Sequence, residues 1–336
     1  MSGRYDEHDP ESYERPRRHT RPRTKDRPSY ADAVPALVVT VDRGRLTCLL
    51  EDGTVVTAMK ARQLGRKAVV VGDHVRLVGD TSGAVDSLAR IVLVDERTNV
   101  LRRTADDNDP VERVIVANAD QLVIVAALAD PEPRPRLIDR ALVAAYDARM
   151  DPLLCLTKAD LADPQTLVDI YRPLGVDYVV TQRGADVGEV RERLLGRTSV
   201  LVGHSGVGKS TLVNALVPDA GRSTGIVNAV TGRGRHTSTN VLMLPLPGAS
   251  GPDGPGVADG WIVDTPGIRS FGLAHVDPDH LIEAFPDLHD LTADCPRGCT
   301  HASGEPECGL DEAVGSERER VASFRRLLAS RESTDY

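Results

Sequence analysis

The sequence predicts a multi-domain chain: an N-terminal OB-fold β-barrel, a central α/β domain built on a parallel sheet, and a C-terminal α-helical domain tied by a metal cluster. Three observations predict it. Short β-forming runs separated by turn dipeptides fill residues 34–96, apolar runs alternate with stretches of helical period over 111–273, and three of the five cysteines crowd into 295–308 around a histidine. The expected division is a disordered basic arm at 1–33, the barrel at 34–96, a linker at 97–110, the α/β domain at 111–273 and the metal-binding helical domain at 274–336.

A chain of 336 residues has ample length to bury more than one core. Its hydrophobic share of 40%, charged share of 27% and net charge of −9 are those of an ordinary globular protein. No apolar run is long enough to span a membrane, and the N-terminus lacks the apolar stretch of a secretory signal. The cysteine pattern is not a disulfide framework, so a reduced, cytoplasmic protein is expected.

Within the arm, Arg15, Arg17, Arg18, Arg21, Arg23, Lys25 and Arg27 face a single acid, Asp26, among prolines and almost no apolar residues. Such a stretch cannot repay its ordering entropy; it is either a solvated tail or a phosphate-seeking arm. In the barrel, strands are expected at 36–41, 45–50, 54–59, 74–78 and 88–94, with turns at Arg43-Gly44, Asp52-Gly53 and Val71-Gly72-Asp73. Five short strands in so short a span suit an OB barrel, a fold that often binds nucleic acid.

The α/β domain reads strand 121–127, helix 136–149, strand 152–157, helix 164–171, strand 177–181, helix 187–195 and strand 199–202. Gly203-His204-Ser205-Gly206-Val207-Gly208-Lys209-Ser210, with Thr211 after it, follows the last strand and opens a helix over 209–217, as a P-loop requires. Its backbone N–H groups would wrap phosphates, Lys209 would reach the β and γ phosphates, and the Ser210 hydroxyl would ligate magnesium. Thr157-Lys158-Ala159-Asp160 follows another strand, where the Asp160 carboxylate can accept from the two adjacent donors of guanine that adenine lacks. Asp264-Thr265-Pro266-Gly267 follows the strand 261–263, where Asp264 would hold magnesium through water and the Gly267 N–H would face the γ phosphate.

Together the three segments predict a GTPase whose order is circularly permuted, because the guanine segment precedes the P-loop. A sheet preserves strand neighbours wherever the chain ends fall, so the permutation is physically permitted. Between them, Gly232-Arg233-Gly234-Arg235-His236-Thr237-Ser238-Thr239 reads as the first switch, with either Thr237 or Thr239 completing the magnesium shell. Ile268 stands where many GTPases carry a water-orienting Gln, so hydrolysis is expected to be slow alone or to borrow a group such as His236. Ile268 also keeps open a chain that uses GTP only as a structural ligand.

Cys295-x₃-Cys299-x-His301-x₆-Cys308 offers three thiolates and one imidazole, the complete ligand set of a structural zinc site. Helix 317–331 carries Val321, Phe324, Leu327 and Leu328 on one face and Arg318, Arg320, Arg325 and Arg326 largely elsewhere, leaving open a solvated basic face or an RNA-contacting one.

Over roughly residues 34–331, these segments, with Val71-Gly72-Asp73 and Ala117-Asn118-Ala119-Asp120-Gln121, resemble the family of ribosome small-subunit-dependent GTPases. The resemblance implies a monomeric GTPase that binds GTP and GDP, touches small-subunit rRNA through its barrel and zinc domain, is stimulated by the subunit late in assembly, and leaves after hydrolysis aided by His236. It implies no membrane partner. Three departures stand out. Thr157 occupies a position where many members have Asn, which removes one polar contact behind the guanine loop. The zinc spacings x₃ and x₆ replace the more usual x₄ and x₅, and the Gly/Pro-rich stretch between Leu246 and Trp261 is longer than usual and reads as a surface insertion.

Overall fold

The computed structural model describes residues 30–42, 44–65, 68–103, 113–217, 241–247, 259–265, 271, 273 and 276–332. Two units separate after Ala31; of the first only Tyr30 and Ala31 are described, and the second begins at Asp32. The arm at 15–27, the first switch with His236, Thr237 and Thr239, the Gly267–Ile268 segment and most of the 247–260 loop lie outside the described residues.

Five strands form the barrel: β1 (Val34–Asp42), β2 (Arg45–Leu49), β3 (Val55–Lys60), β4 (His74–Gly79) and β5 (Ala89–Val94). They follow the order β1-β2-β3-β5-β4 and close through β1–β4, with β3 and β5 parallel. The alternation that predicted strands places Val38, Leu46, Cys48, Val56, Ala58, Val75, Leu77 and Ile91 inside. Each fully buried aliphatic side chain contributes about 1.5–3 kcal/mol. Burial also pushes the Cys48 thiol up to about 12, which leaves it an inert packing residue.

The stretch expected as a linker is partly a hairpin. β6 (Val100–Arg103) pairs antiparallel with β7 (Arg113–Ala117), a pairing hidden from local reading because nine residues separate the two strands in sequence. The joint between barrel and central sheet lies here. Asp73, fully buried, accepts two hydrogen bonds from Arg97 at 2.7 and 2.8 Å and one from the Val70 N–H at 2.8 Å. Asn118, at φ +54°, donates to the Gly72 carbonyl at 2.8 Å and accepts from the Thr98 N–H at 2.8 Å. A Cβ at Gly72 would stand 2.0 Å from the Ala117 carbonyl oxygen, so only glycine permits this approach.

The central sheet contains β8 (Gln121–Ala127), β9 (Asp151–Thr157), β10 (Asp177–Val180), β11 (Thr198–Val202), β12 (Leu242–Pro245) and β13 (Trp261–Asp264). Its order is β10-β9-β8-β11-β13-β12; only β12 runs antiparallel. β12 also pairs with β1, Thr40 opposite Leu242, so sheet and barrel are continuous. α1 (Pro135–Asp147) and α2 (Gln165–Tyr171) cover one face, whereas α3 (Gly188–Leu194) and α4 (Lys209–Leu216) cover the other. The nearly continuous apolar runs of β8 and β9 follow from this two-sided burial.

The C-terminal part adds α5 (Pro278–Glu283), α6 (Pro286–Leu291) and α7 (Ser316–Glu332). Tyr146 of α1, Phe285 and Phe324 of α7 stack edge to face, with centroids 4.9 and 5.5 Å apart. Among the arginines of α7, Arg318 is exposed, whereas Arg320, Arg325 and Arg326 are partly buried in contacts within the protein. Arg320 donates to the Pro173 carbonyl and pairs with Asp287, Arg325 pairs with Asp311 and donates to the His301 carbonyl, and Arg326 pairs with buried Asp139 over the Tyr171 ring. Arg318 donates to the Ala313 carbonyl at the helix start. Desolvation raises the Asp139 carboxyl above its usual range, and the Arg326 guanidinium opposes that rise.

Candidate functional site

The carboxyl ends of β8, β9, β11 and β13 meet along one edge of the sheet, where a doubly covered α/β fold binds its ligands. β11 leads into the P-loop. Gly203 is required there because a Cβ would lie 2.5 Å from the Val125 carbonyl oxygen and 3.1 Å from the Val207 side chain. Gly206 and Gly208 have φ of +85° and +92°, the left-handed region that turns the chain around a phosphate-sized space. Gly208 caps α4 without a side-chain hydrogen bond, so the first N–H groups of the helix are left for an anion. Val207 is buried in the core, whereas Ser205, Gly206, Ser210 and Thr211 are exposed at the mouth. His204, half-buried beside them, has its Nδ1 2.9 Å from the Ser205 carbonyl oxygen.

The structure brings the three predicted segments together through two side chains. Lys209 forms an ion pair with Asp264 and lies 3.4 Å from the Thr265 carbonyl oxygen, joining the P-loop to the end of β13. The Thr265 hydroxyl donates to the Leu201 carbonyl at 2.7 Å, fixing that end against β11. Thr157, buried at the end of β9, donates its hydroxyl to the Val207 carbonyl at 2.5 Å. Thr157 thus supplies a polar contact between the guanine segment and the P-loop. Lys158, at φ +60°, donates to the Asp130 carbonyl, and Asp160, two residues beyond it, stands exposed.

One neighbour was not foreseen. The loop after β10 begins at Thr181, whose N–H donates to the Leu156 carbonyl at 2.8 Å and whose carbonyl accepts from the Ala159 N–H at 3.3 Å. It lies against the backbone of Ala159, the residue before Asp160. The parallel register of β10 on β9 carries the signal, since neighbouring parallel strands bring their following loops side by side.

In the C-terminal part, Cys295, Cys299, His301 and Cys308 converge, with all four donor atoms within 4.8 Å of one another. His301 Nδ1 lies 3.8, 3.5 and 3.8 Å from the sulfurs of Cys295, Cys299 and Cys308. Four ligands at ~2.3 Å around one tetrahedral centre stand about 3.8 Å apart, so the set fits a metal ion despite its unusual spacings. Desolvation and the neighbouring thiols push Cys299 up to about 11, a penalty that a cation would reverse. Desolvation also lowers His301, favouring the neutral imidazole that ligates metal. The Gly309 N–H donates to the Cys295 sulfur at 3.2 Å.

A P-loop, an Asp-ended neighbouring strand and an exposed aspartate after a third strand define a nucleotide-binding α/β protein of permuted strand order. The RsgA GTPase family model matches residues 94–274, and the chain belongs to that family. It is 42% identical over 234 residues to the small ribosomal subunit biogenesis GTPase RsgA of Ectopseudomonas mendocina (strain ymp), a match covering 66% of this chain and 65% of that protein, just under two thirds of its length. It is 38% identical over 281 residues to the protein of the same name from Pseudomonas putida (strain ATCC 700007 / DSM 6899 / JCM 31910 / BCRC 17059 / LMG 24140 / F1), covering 80% of this chain and 77% of that one. Among solved structures, YjeQ from Thermotoga maritima aligns with TM-score 0.62 at 27% identity, covering 88% of this chain and 98% of that one. YloQ, described as a circularly permuted GTPase, shares the fold with TM-score 0.63 at 23% identity over 93% and 100% of the two chains. No helix among the described residues is long and apolar enough to cross a membrane.

Proposed function

We propose that this chain binds and hydrolyses GTP as a cytoplasmic, monomeric factor in late assembly of the small ribosomal subunit, and that the subunit stimulates the reaction. The observation that carries the reading is the convergence of Asp160, the P-loop and Asp264 at one sheet edge, tied by the Thr157 hydroxyl and the Lys209–Asp264 pair. Asp160 would accept from guanine, the N–H groups of 203–211 would wrap the phosphates, and Lys209 would stabilise charge developing on the β–γ bridge.

Ser210 and Asp264, with Thr237 or Thr239, would hold the magnesium that accompanies GTP; that ion neutralises phosphate charge. The Lys209 ammonium already beside Asp264 supports a cation-accepting position there. His236 would orient the attacking water in place of the Gln absent at Ile268. Cys295, Cys299, His301 and Cys308 would hold one structural zinc, whose contribution is a cross-link between α6 and the segment before α7. Contacts to rRNA are assigned to the barrel and to the surface around the metal cluster; Arg320, Arg325 and Arg326 of α7 pair with Asp287, Asp311 and Asp139 within the protein.

The test is steady-state hydrolysis of GTP and ATP with and without purified small ribosomal subunits. The reading expects slow GTP turnover alone, a rise of an order of magnitude or more with subunits, no ATP turnover, and loss of the rise in His236→Ala. GTP binding without turnover under either condition would instead support the non-catalytic reading that Ile268 keeps open.

A further inference from the structure

Arg325 stands in the middle of α7, outside the ligand set of the metal cluster, and its side chain is only 14% exposed. Its Nε donates to the His301 carbonyl at 3.1 Å, and its Nη1 pairs with the Asp311 carboxylate at 2.7 Å. Both acceptors belong to segments that carry ligands. His301 is one of the four converging residues. Asp311 lies in the 3-10 turn Gly309–Glu312, which opens directly after Cys308, and its N–H donates to the Cys308 carbonyl at 3.0 Å. One guanidinium therefore bridges the segment of His301 and the segment of Cys308, two ligands with six residues between them.

The need for such a bridge is visible at His301. Its φ of +58° lies in the left-handed region, which a histidine holds only where its surroundings impose it. The residue is buried, and its Nδ1 faces the three sulfurs at 3.5 to 3.8 Å. Nδ1 is the ring nitrogen nearer the main chain, so its position follows the His301 backbone closely, and that backbone is where Arg325 takes hold. A guanidinium is a planar fork of fixed geometry, so it sets the spacing of the two segments it joins. Cys295 has an anchor of its own: the Gly309 N–H donates to its sulfur, and a Cβ at Gly309 would stand 2.0 Å from the Leu291 carbonyl oxygen.

We propose that Arg325 is a positioning residue of the metal site, holding His301 and Cys308 at the separation that one tetrahedral ion requires. The proposal rests on the reading of Cys295, Cys299, His301 and Cys308 as a structural zinc site and is independent of the nucleotide and of the ribosomal partner. The bonds of Arg325 go to the His301 main chain and the Asp311 carboxylate, so it acts through those two groups and not on a ligand atom. Partners of this kind usually account for about 10- to 100-fold in metal affinity.

The experiment measures the zinc affinity of the full chain by competition with a chromogenic chelator, together with the spectrum of the cobalt(II)-substituted chain. Thiolate-to-cobalt absorption reports the sulfurs, and the ligand-field bands report the whole ligand set. Metal content of the native protein is determined first; a native chain that binds neither zinc nor cobalt would overturn the zinc reading, and the proposal with it, before any variant is made. Arg325→Met should bind zinc about 10- to 100-fold more weakly. Its ligand-field bands should shift towards those of His301→Ala while the thiolate absorption keeps the intensity of three sulfurs. Asp311→Ala, a change at an exposed side chain, should weaken zinc by about threefold and decides the matter if the Arg325 variant does not fold. Arg326→Met removes the neighbouring contacts to Asp139 and the Ile170 carbonyl, loosening α7 without touching the metal segment, and should keep the native zinc affinity and cobalt spectrum. An Arg325→Met protein with native affinity and spectrum, an Asp311→Ala protein with native affinity, or an Arg326→Met protein as weak as Arg325→Met would each overturn the proposal.

Discussion

Replacing Thr157 by Val tests whether the guanine segment and the P-loop work as one unit. The change is nearly isosteric, so packing around Gly208, whose Cβ position lies 3.7 to 4.0 Å from the Thr157 side chain, is preserved. What disappears is the hydroxyl proton given to the Val207 carbonyl at 2.5 Å; the Ala126 carbonyl, at 3.4 Å, is at best a weak second acceptor. Val207 and Thr157 are both buried at about one twentieth exposure, so the orphaned carbonyl gains no water and the variant should lose about 1–3 kcal/mol of unfolding free energy. If ~1.4 kcal/mol of that is expressed in the P-loop backbone, the GTP dissociation constant rises about tenfold. Urea unfolding and calorimetric GTP titration measure the two effects, with Thr157→Ser, which keeps the hydroxyl, expected close to the native protein. A Val variant matching the native protein in both assays would refute the linkage.

Other perturbations follow from the same geometry. Gly72→Ala places a Cβ 2.0 Å from the Ala117 carbonyl at φ +87° and should cost about 2 kcal/mol or more in urea unfolding, because two backbones must separate at the barrel joint. Chelation, or Cys308→Ser, should release one zinc per chain in a colorimetric assay and lower the melting temperature, since the four converging ligands would lose the ion that cross-links them. Arg325→Met should destabilise the protein in thermal melts, through loss of Asp311 and the His301 carbonyl, while leaving affinity for small-subunit rRNA unchanged.

The parts that were legible in the sequence are those written in contiguous residues. The P-loop, the Thr157–Asp160 segment and the Cys/His cluster announce themselves because their chemistry needs fixed spacing, and the barrel strands because one buried face imposes period two. What was hidden is carried by contacts between distant segments. The β6 and β7 strands that pair are separated by nine residues in sequence, the Thr181 loop gains meaning only from β10 lying beside β9, and Arg140 bonds residues 131 and 190 positions away. The α7 arginines show why charge alone misleads: several acceptors are backbone carbonyls, which leave no trace in composition. Thr157 is a similar case, since the bond to Val207 depends on where a hydroxyl points.

The most direct test of the central claim, that three segments form one guanine-nucleotide site, is the affinity of native and Asp160→Asn protein for GTP and for xanthosine triphosphate. Xanthine carries a carbonyl where guanine has its amino group, so an Asn amide can donate where the Asp carboxylate could only accept. The account predicts that the native protein prefers GTP and that Asp160→Asn weakens GTP by about 100-fold or more while gaining xanthosine triphosphate. An Asp160→Asn protein that binds GTP as the native one does would remove Asp160 from the site and contradict the account.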